Sequence, residues 1–272
     1  MGETFDFSKS AQYTLSIRLS TDGFSFSIYN PLNGSDFFFR SYPVNTQRSM
    51  AANVKAFLAE TEGLDLPYRQ TNILVHSARY TPVPLELFED EQMEALFYQN
   101  LPRQNNEIVL CNVLGKSNLV ILFSIDKLTH LFLSEHFPKA RFFASVSPQL
   151  EGLAVKSQLG NSRKLYAHLH PDSTDVFCFE RGRLLLANTY ATATTDDRSY
   201  YLLNVWQQLG FDAENDELQL TGRIGQRDEL TTLLKKYIRK VFIIQPQADF
   251  NESVSSPIED IPFDIQSLVT CE

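Results

Sequence analysis

Two histidines set two residues apart, His168 and His170, are the first candidates for chemistry in this chain. On a β-strand, residues i and i+2 share a face, so both imidazoles would point the same way, a spacing that suits a metal ion. No third ligand suggests itself nearby, and a pair of hydrogen-bonded strand histidines is the simpler reading. Cys111, Cys178 and Cys271 are odd in number, far apart and without a CxxC pair, so neither a zinc centre nor a disulfide framework is expected. Cys111 and Cys178 sit in apolar runs, where a thiol serves as a small core residue. Gly115-Lys116-Ser117 has the end of a phosphate-cradling loop without the earlier glycine, which leaves a hairpin turn. With five histidines and many serines, chance Ser-His-Asp groupings are frequent, and no catalytic residue is singled out.

The elements that would carry these residues follow from periodicity. Residues 13–19 and 24–29 alternate around Thr21-Asp22-Gly23, and residues 36–42 return after Asn33-Gly34, a three-strand meander. A helix capped by Asn45 or Thr46 carries Met50, Val54, Phe57 and Leu58 and stops at Gly63. Residues 71–78 read as a buried strand, Pro82 and Pro84 break the pattern, and residues 89–101 are helical. Strands at 108–114 and 119–125 precede a helix to His136, a strand at 141–146, and a helix opened by Ser147-Pro148 and closed by Gly160.

The pattern then restarts. Strands at 164–170, 175–180 and 183–190 form a second meander, with Asp172-Ser173 as turn residues. Asp196 caps a helix with Leu202, Val205 and Trp206 on its apolar stripe. A short strand at 217–220, a helix at 227–240 and a strand at 241–244 complete the run. The expected fold class is α/β, two tandem βββαβα halves around a cleft. The divisions are 1–160 for the N-terminal half, 161–246 for the C-terminal half and 247–272 for an acidic tail. Between the halves, Arg18, Arg223 and His168 would form a cationic floor for an anion, against the plainer reading of Arg18 as an exposed strand residue.

Composition sets the outer limits. The chain has 272 residues, 43% of them hydrophobic, enough for a sizeable core and against wholesale disorder. No run approaches the ~20 apolar residues of a membrane span, and the acidic start lacks the apolar stretch of a secretory signal, so a cytoplasmic location is expected. The net charge of −9 is concentrated in the tail, where Asp249, Glu252, Glu259, Asp260, Asp264 and Glu272 face no Lys or Arg. The remaining near-balance offers little attraction to a phosphate polyanion, and no nucleic-acid or membrane partner is expected.

The tandem βββαβα order over roughly residues 10–246 resembles the actin, Hsp70 and sugar-kinase superfamily, of ribonuclease H-like type, nearest to the bacterial actin homologues of cell division and pilus assembly. In that superfamily each meander's first turn is an Asp-x-Gly phosphate loop, and a later strand ends in a Thr-Gly-Gly turn around adenosine. Leu218-Gln219-Leu220-Thr221-Gly222-Arg223-Ile224 resembles the adenosine turn, with Arg223 for its second glycine. The second phosphate loop falls at residues 168–176. There Thr174-Asp175-Val176 matches the motif's end, His168 stands at the aspartate position, and His170 and Asp172 stand at glycine positions. In the first half, Arg18-Leu19-Ser20 occupies the Asp-x-Gly position.

Glycines in such loops let backbone N–H groups approach phosphate, and Mg²⁺ prefers carboxylate oxygen, which Arg18 and His168 do not supply. The chain thus resembles an uncharacterised bacterial family, a domain of unknown function with a degenerate actin-like ATPase fold. The resemblance implies a non-catalytic scaffold or binding protein acting through an unknown protein partner or a homodimer. The alternatives are a nucleotide or small-anion binder using Arg18, His168, Thr174, Thr221, Gly222 and Arg223, and an unconventional ATPase or kinase, for which Asp22 and Asp175 are the nearest carboxylates.

Overall fold

In a computed structural model, residues 6–21, 23–31, 37–222, 227–244 and 261–271 are described. They form two compact units. Unit 1 comprises Met1–Leu114, Asn118–Pro148 and Asp249–Glu272, and unit 2 comprises Gly115–Ser117 and Gln149–Ala248. The chain therefore divides at Pro148/Gln149, and the tail counts with unit 1.

Unit 1 is built on a five-stranded sheet. The meander β1 (Thr14–Leu19), β2 (Phe24–Tyr29) and β3 (Phe37–Tyr42) is antiparallel, and β4 (Gln70–Val75) adds parallel to β1. Alternation sends Leu15, Ile17 and Leu19 to one face with Phe24, Phe26 and Ile28, against Val54, Phe57 and Leu58 of α1 (Met50–Glu60). The Phe57 ring meets those of Phe24 and Phe26 at 5.6 and 6.0 Å. The N-cap of α1 is Ser49, whose hydroxyl accepts the Ala52 N–H, and not Asn45 or Thr46. The Asn45 carboxamide accepts the Gln47 N–H instead, in a turn ahead of the helix.

A three-stranded antiparallel sheet is inserted after β4, in the order β5 (Tyr80–Pro84), β7 (Leu119–Asp126), β6 (Glu107–Leu114). The proline-broken stretch is thus a strand after all. It lies at the sheet's edge, where a residue without an N–H is tolerated. Val83, Val109, Val120 and Leu122 pack on Phe97 of α2 (Met93–Asn100). Asp126 then caps α3 (Lys127–His136), and β8 (Arg141–Ala144) joins β4 in parallel. The helix α4 (Val146–Ser157) begins ahead of Ser147-Pro148, because the Ser147 hydroxyl donates to Asn112 Oδ1 at 2.8 Å rather than capping.

Unit 2 repeats the strand order of the first sheet. The strands β9 (Lys164–Leu169), β10 (Ser173–Glu180) and β11 (Arg183–Ala191) form the meander. The strands β12 (Glu217–Thr221) and β13 (Lys240–Ile243) add in parallel, giving β11-β10-β9-β12-β13. Its core gathers Leu165, Ala167, Val176, Cys178, Leu218 and Leu220 with Leu202, Val205 and Trp206 of α5 (Thr195–Gln208) and Leu230 and Leu234 of α6 (Arg227–Leu234). The cap of α5 is Thr194, not Asp196. Its hydroxyl accepts the Asp197 N–H while the Asp197 carboxylate accepts the Thr194 N–H, a reciprocal box. The two five-stranded sheets with their helices make the molecule α/β, each unit opening with a βββαβ series. No helix among the described residues is long and apolar enough to cross a membrane.

Candidate functional site

In unit 1 the strand face opposite α1 carries Ser16 and Arg18 of β1, Ser25 and Ser27 of β2, and Asn72 of β4, all buried. Arg18 is not an exposed strand residue: its side chain is 8% exposed. Its Nε–H donates at 2.6 Å to Oδ2 of Asp264, whose side chain is fully buried. Asp264 lies in the first turn of α7 (Phe263–Cys271), the one helix of the tail among the described residues. Ile261 and Ile265 from the same segment pack on Phe37 and Phe39 of β3. The tail's apolar residues therefore pack on the edge strand of the sheet, and its aspartate meets the buried arginine of β1. The hydroxyls of Ser16, Ser20, Ser25 and Ser27 have no hydrogen-bond partner among the described residues.

In unit 2, three strand ends bring the remaining candidates together. His168 of β9 and His170, just past the end of that strand, have ring centres 4.1 Å apart, and antiparallel register sets Asp175 of β10 directly opposite His168. His170 Nε2 lies 2.8 Å from Asp175 Oδ2, while His168 Nδ1 lies 3.9 Å from that oxygen and 3.2 Å from Gln149 Oε1. Asp175 Oδ1 accepts the Thr189 hydroxyl at 2.6 Å. Thr174 exchanges a hydrogen bond with Thr192 at 2.8 Å, and Thr221 of β12 sits beside His168 in parallel register. Gly222 has φ +96°, and a Cβ there would lie 2.2 Å from the Leu169 carbonyl oxygen, so the backbone alone explains this glycine. Arg223 and Asp22 lie outside the described residues.

The turn between β9 and β10 is held from behind by Arg198 of α5. This buried guanidinium donates to the carbonyls of His170, Pro171 and Thr192 at 3.0, 2.9 and 3.2 Å, and to that of Ala193 at 3.3 Å. A phosphate loop aims backbone N–H groups at its ligand, whereas here an arginine gathers backbone oxygens. Arg198, Gln149, Thr189 and Asp264 were not legible as site residues. The one available signal was a cation in the first turn of α5, where the helix dipole disfavours positive charge.

Residues 2–241 match the profile of a family described as "Protein of unknown function (DUF3822)". The chain belongs to this family. A DUF3822-length match also appears among solved structures. A protein from Bacteroides thetaiotaomicron VPI-5482, described as having an actin-like ATPase fold and unknown function, is 48% identical, with a TM-score of 0.87 over 99% of this chain and 100% of that one. A structure of the PilM–PilN type IV pilus biogenesis complex matches with a TM-score of 0.53 at 12% identity, covering 94% of each chain, a likeness of fold alone. No curated protein matches this DUF3822 chain. The fold of this member is thus the actin-like ATPase fold, and the family carries no assigned activity.

Proposed function

We propose that this protein is a non-catalytic member of the actin-like fold that works by binding, as a scaffold for a protein partner, and not by phosphoryl transfer. The observation that supports the reading is the fate of the two positions where a metal-holding carboxylate is needed. One carries Arg18, committed to Asp264 at 2.6 Å; the other carries His168, bonded to Gln149 and beside Asp175. Phosphoryl transfer depends on Mg²⁺ bridging phosphate oxygens from carboxylate ligands, and the developing charge would have no such clamp here. A β9–β10 turn whose carbonyls are gathered by Arg198 also lacks the glycines that let amides approach a phosphate. The pairing of PilM with PilN supplies a precedent for this fold in a protein–protein assembly.

The test is direct. Purified full-length protein is assayed for release of inorganic phosphate from ATP and GTP with Mg²⁺ or Mn²⁺, and by titration calorimetry with ATP, ADP and GTP at millimolar concentration. The expected result is no turnover above a buffer control and no binding heat. Turnover abolished by Asp175→Asn would overturn the proposal in favour of an unconventional ATPase, and saturable heat without turnover would replace it with nucleotide binding.

A further inference from the structure

We propose that the β11 edge of unit 2 is a self-pairing surface, on which the same strand of a second copy of this chain adds antiparallel and extends the sheet. An edge strand presents a row of backbone N–H and C=O groups on its outer side, and proteins usually blunt it. The other edges here carry such devices. The strand β5 has Pro82 and Pro84, and β13 is only four residues long. Asn112 of β6 closes the gap to β8, where its carboxamide donates to the Phe142 carbonyl at 2.8 Å and accepts the Ala144 N–H at 2.9 Å. On β3, Arg40 stands midway and the α7 segment packs on Phe37 and Phe39.

The strand β11 runs nine residues, contains no proline or lysine, and pairs with β10 alone among the described residues. A bulge at Leu185 leaves a regular run from Leu186 to Ala191. The Thr192 N–H donates to the Asp172 carbonyl, which fixes the alternation of the ladder. Leu186, Asn188 and Tyr190 therefore bond inward to β10, and the backbone of Ala187, Thr189 and Ala191 faces outward. The Thr189 N–H is met by the adjoining Asn188 carboxamide at 2.9 Å, a contact within the strand that a partner's carbonyl would take over.

Charge selects the occupant. At one end of β11 stand the exposed Arg181 and Arg183, of which Glu180 offsets one; at the other stand the exposed Asp172 and Asp196. Antiparallel pairing about a two-fold axis near Ala187 brings Arg183 of each copy beside Ala191 of the other, so a basic end meets an acidic end twice. Parallel addition would instead set like charges together. The face toward α5 adds apolar surface: Tyr190 of β11 stacks on Tyr201 at 4.6 Å, and Tyr201 meets Tyr200, which is 65% exposed. An axis normal to the sheet keeps both α5 helices on the same face of the joined sheet, each with its exposed tyrosine. This pairing needs neither nucleotide nor its absence, so it and the proposed function fail separately.

Full-length protein is followed by sedimentation velocity and light scattering over a concentration series. A dimer of twice 31.1 kDa is expected. Ala187→Pro removes one outward N–H and no bond to β10, and should shift the protein to monomer. Arg183→Glu and Asp172→Lys should each raise the dimer dissociation constant about tenfold, because two-fold symmetry counts each pair twice. The two substitutions together should restore it, a rescue that a merely structural role would not give. A wild type that stays monomeric up to millimolar concentration overturns the proposal and leaves the edge to an extended segment of another protein. A dimer that none of these variants weakens overturns it equally, since it is joined elsewhere. Should Ala187→Pro fail to fold, the wild type still decides: the Ala187 and Ala191 amides should gain protection from exchange as the dimer forms, and unchanged protection overturns the pairing.

Discussion

A single side chain absent from the chain's most motif-like turn explains why Gly222 is a glycine. With φ at +96° and the Leu169 oxygen 2.2 Å from any added Cβ, alanine would meet both backbone strain and a clash. Gly222→Ala is expected to lower stability by at least about 1–3 kcal/mol, read from the urea midpoint, with the far end of β12 losing amide protection first. Arg198 makes a complementary case. Replacing it by methionine keeps the buried stem but leaves the His170, Pro171, Thr192 and Ala193 carbonyls without their donor. A loss of roughly 1–3 kcal/mol or more is expected by denaturation, and a small change on the order of 0.5 kcal/mol would show that water serves these oxygens equally well. At this scale the sequence was only partly readable. Alternation showed which strand residues face the core, and it placed His168 and His170 together. It could not show that Arg18 finds an aspartate 246 positions later, because that bond depends on tertiary closure and leaves no local spacing to read.

Elements were more legible than residues, and the misses have physical causes. The meanders were visible because Leu15, Ile17 and Leu19 alternate with polar neighbours, and because glycine marks the turns. The strand β5 was hidden by Pro82 and Pro84, since proline disfavours interior strands and gives no signal of an edge. Caps were misplaced by a few positions at α1 and α5, where several Ser, Thr, Asn and Asp residues compete for one role. The α5 box makes its own prediction. Hydrogen bonds from the Thr194 side chain and then its backbone N–H hold the Asp197 carboxyl below the usual carboxylate range. A depressed value means that this contribution is present above the unfolded pKa and is lost as pH falls through the folded one. The protection factors of the Ala193 and Thr194 amides, which donate to Asp197, should therefore fall as the solution is acidified into that range, and Asp197→Ala should make those factors insensitive to it.

For the whole molecule, the duplicated strand order was readable because each half repeats the same sequence of periodicities. The placement of the tail was not, since a segment rich in acids with interspersed apolar residues is equally compatible with solvent, a partner or its own body. The structure gives it to unit 1, where Asp264 neutralises a buried arginine. Removing one member of such a pair leaves an uncompensated charge, so Asp264→Ala is expected to cost about 3–5 kcal/mol. The double variant Arg18→Met with Asp264→Leu should recover most of that loss in a double-mutant cycle. If Asp264→Ala unfolds at the wild-type urea midpoint, the pair contributes nothing and the tail is held by its apolar contacts alone.

The same arrangement bears on how the protein is made. The strand β1 leaves the ribosome well before the helix that covers its polar face, since Arg18 and Asp264 stand 246 positions apart. Until then the arginine of β1 must remain hydrated or borrow a temporary counter-ion, so this sheet is completed only once α7 has been made, long after its meander. A truncation that removes α7 would strike the strands of the meander and not the segment where the change was made.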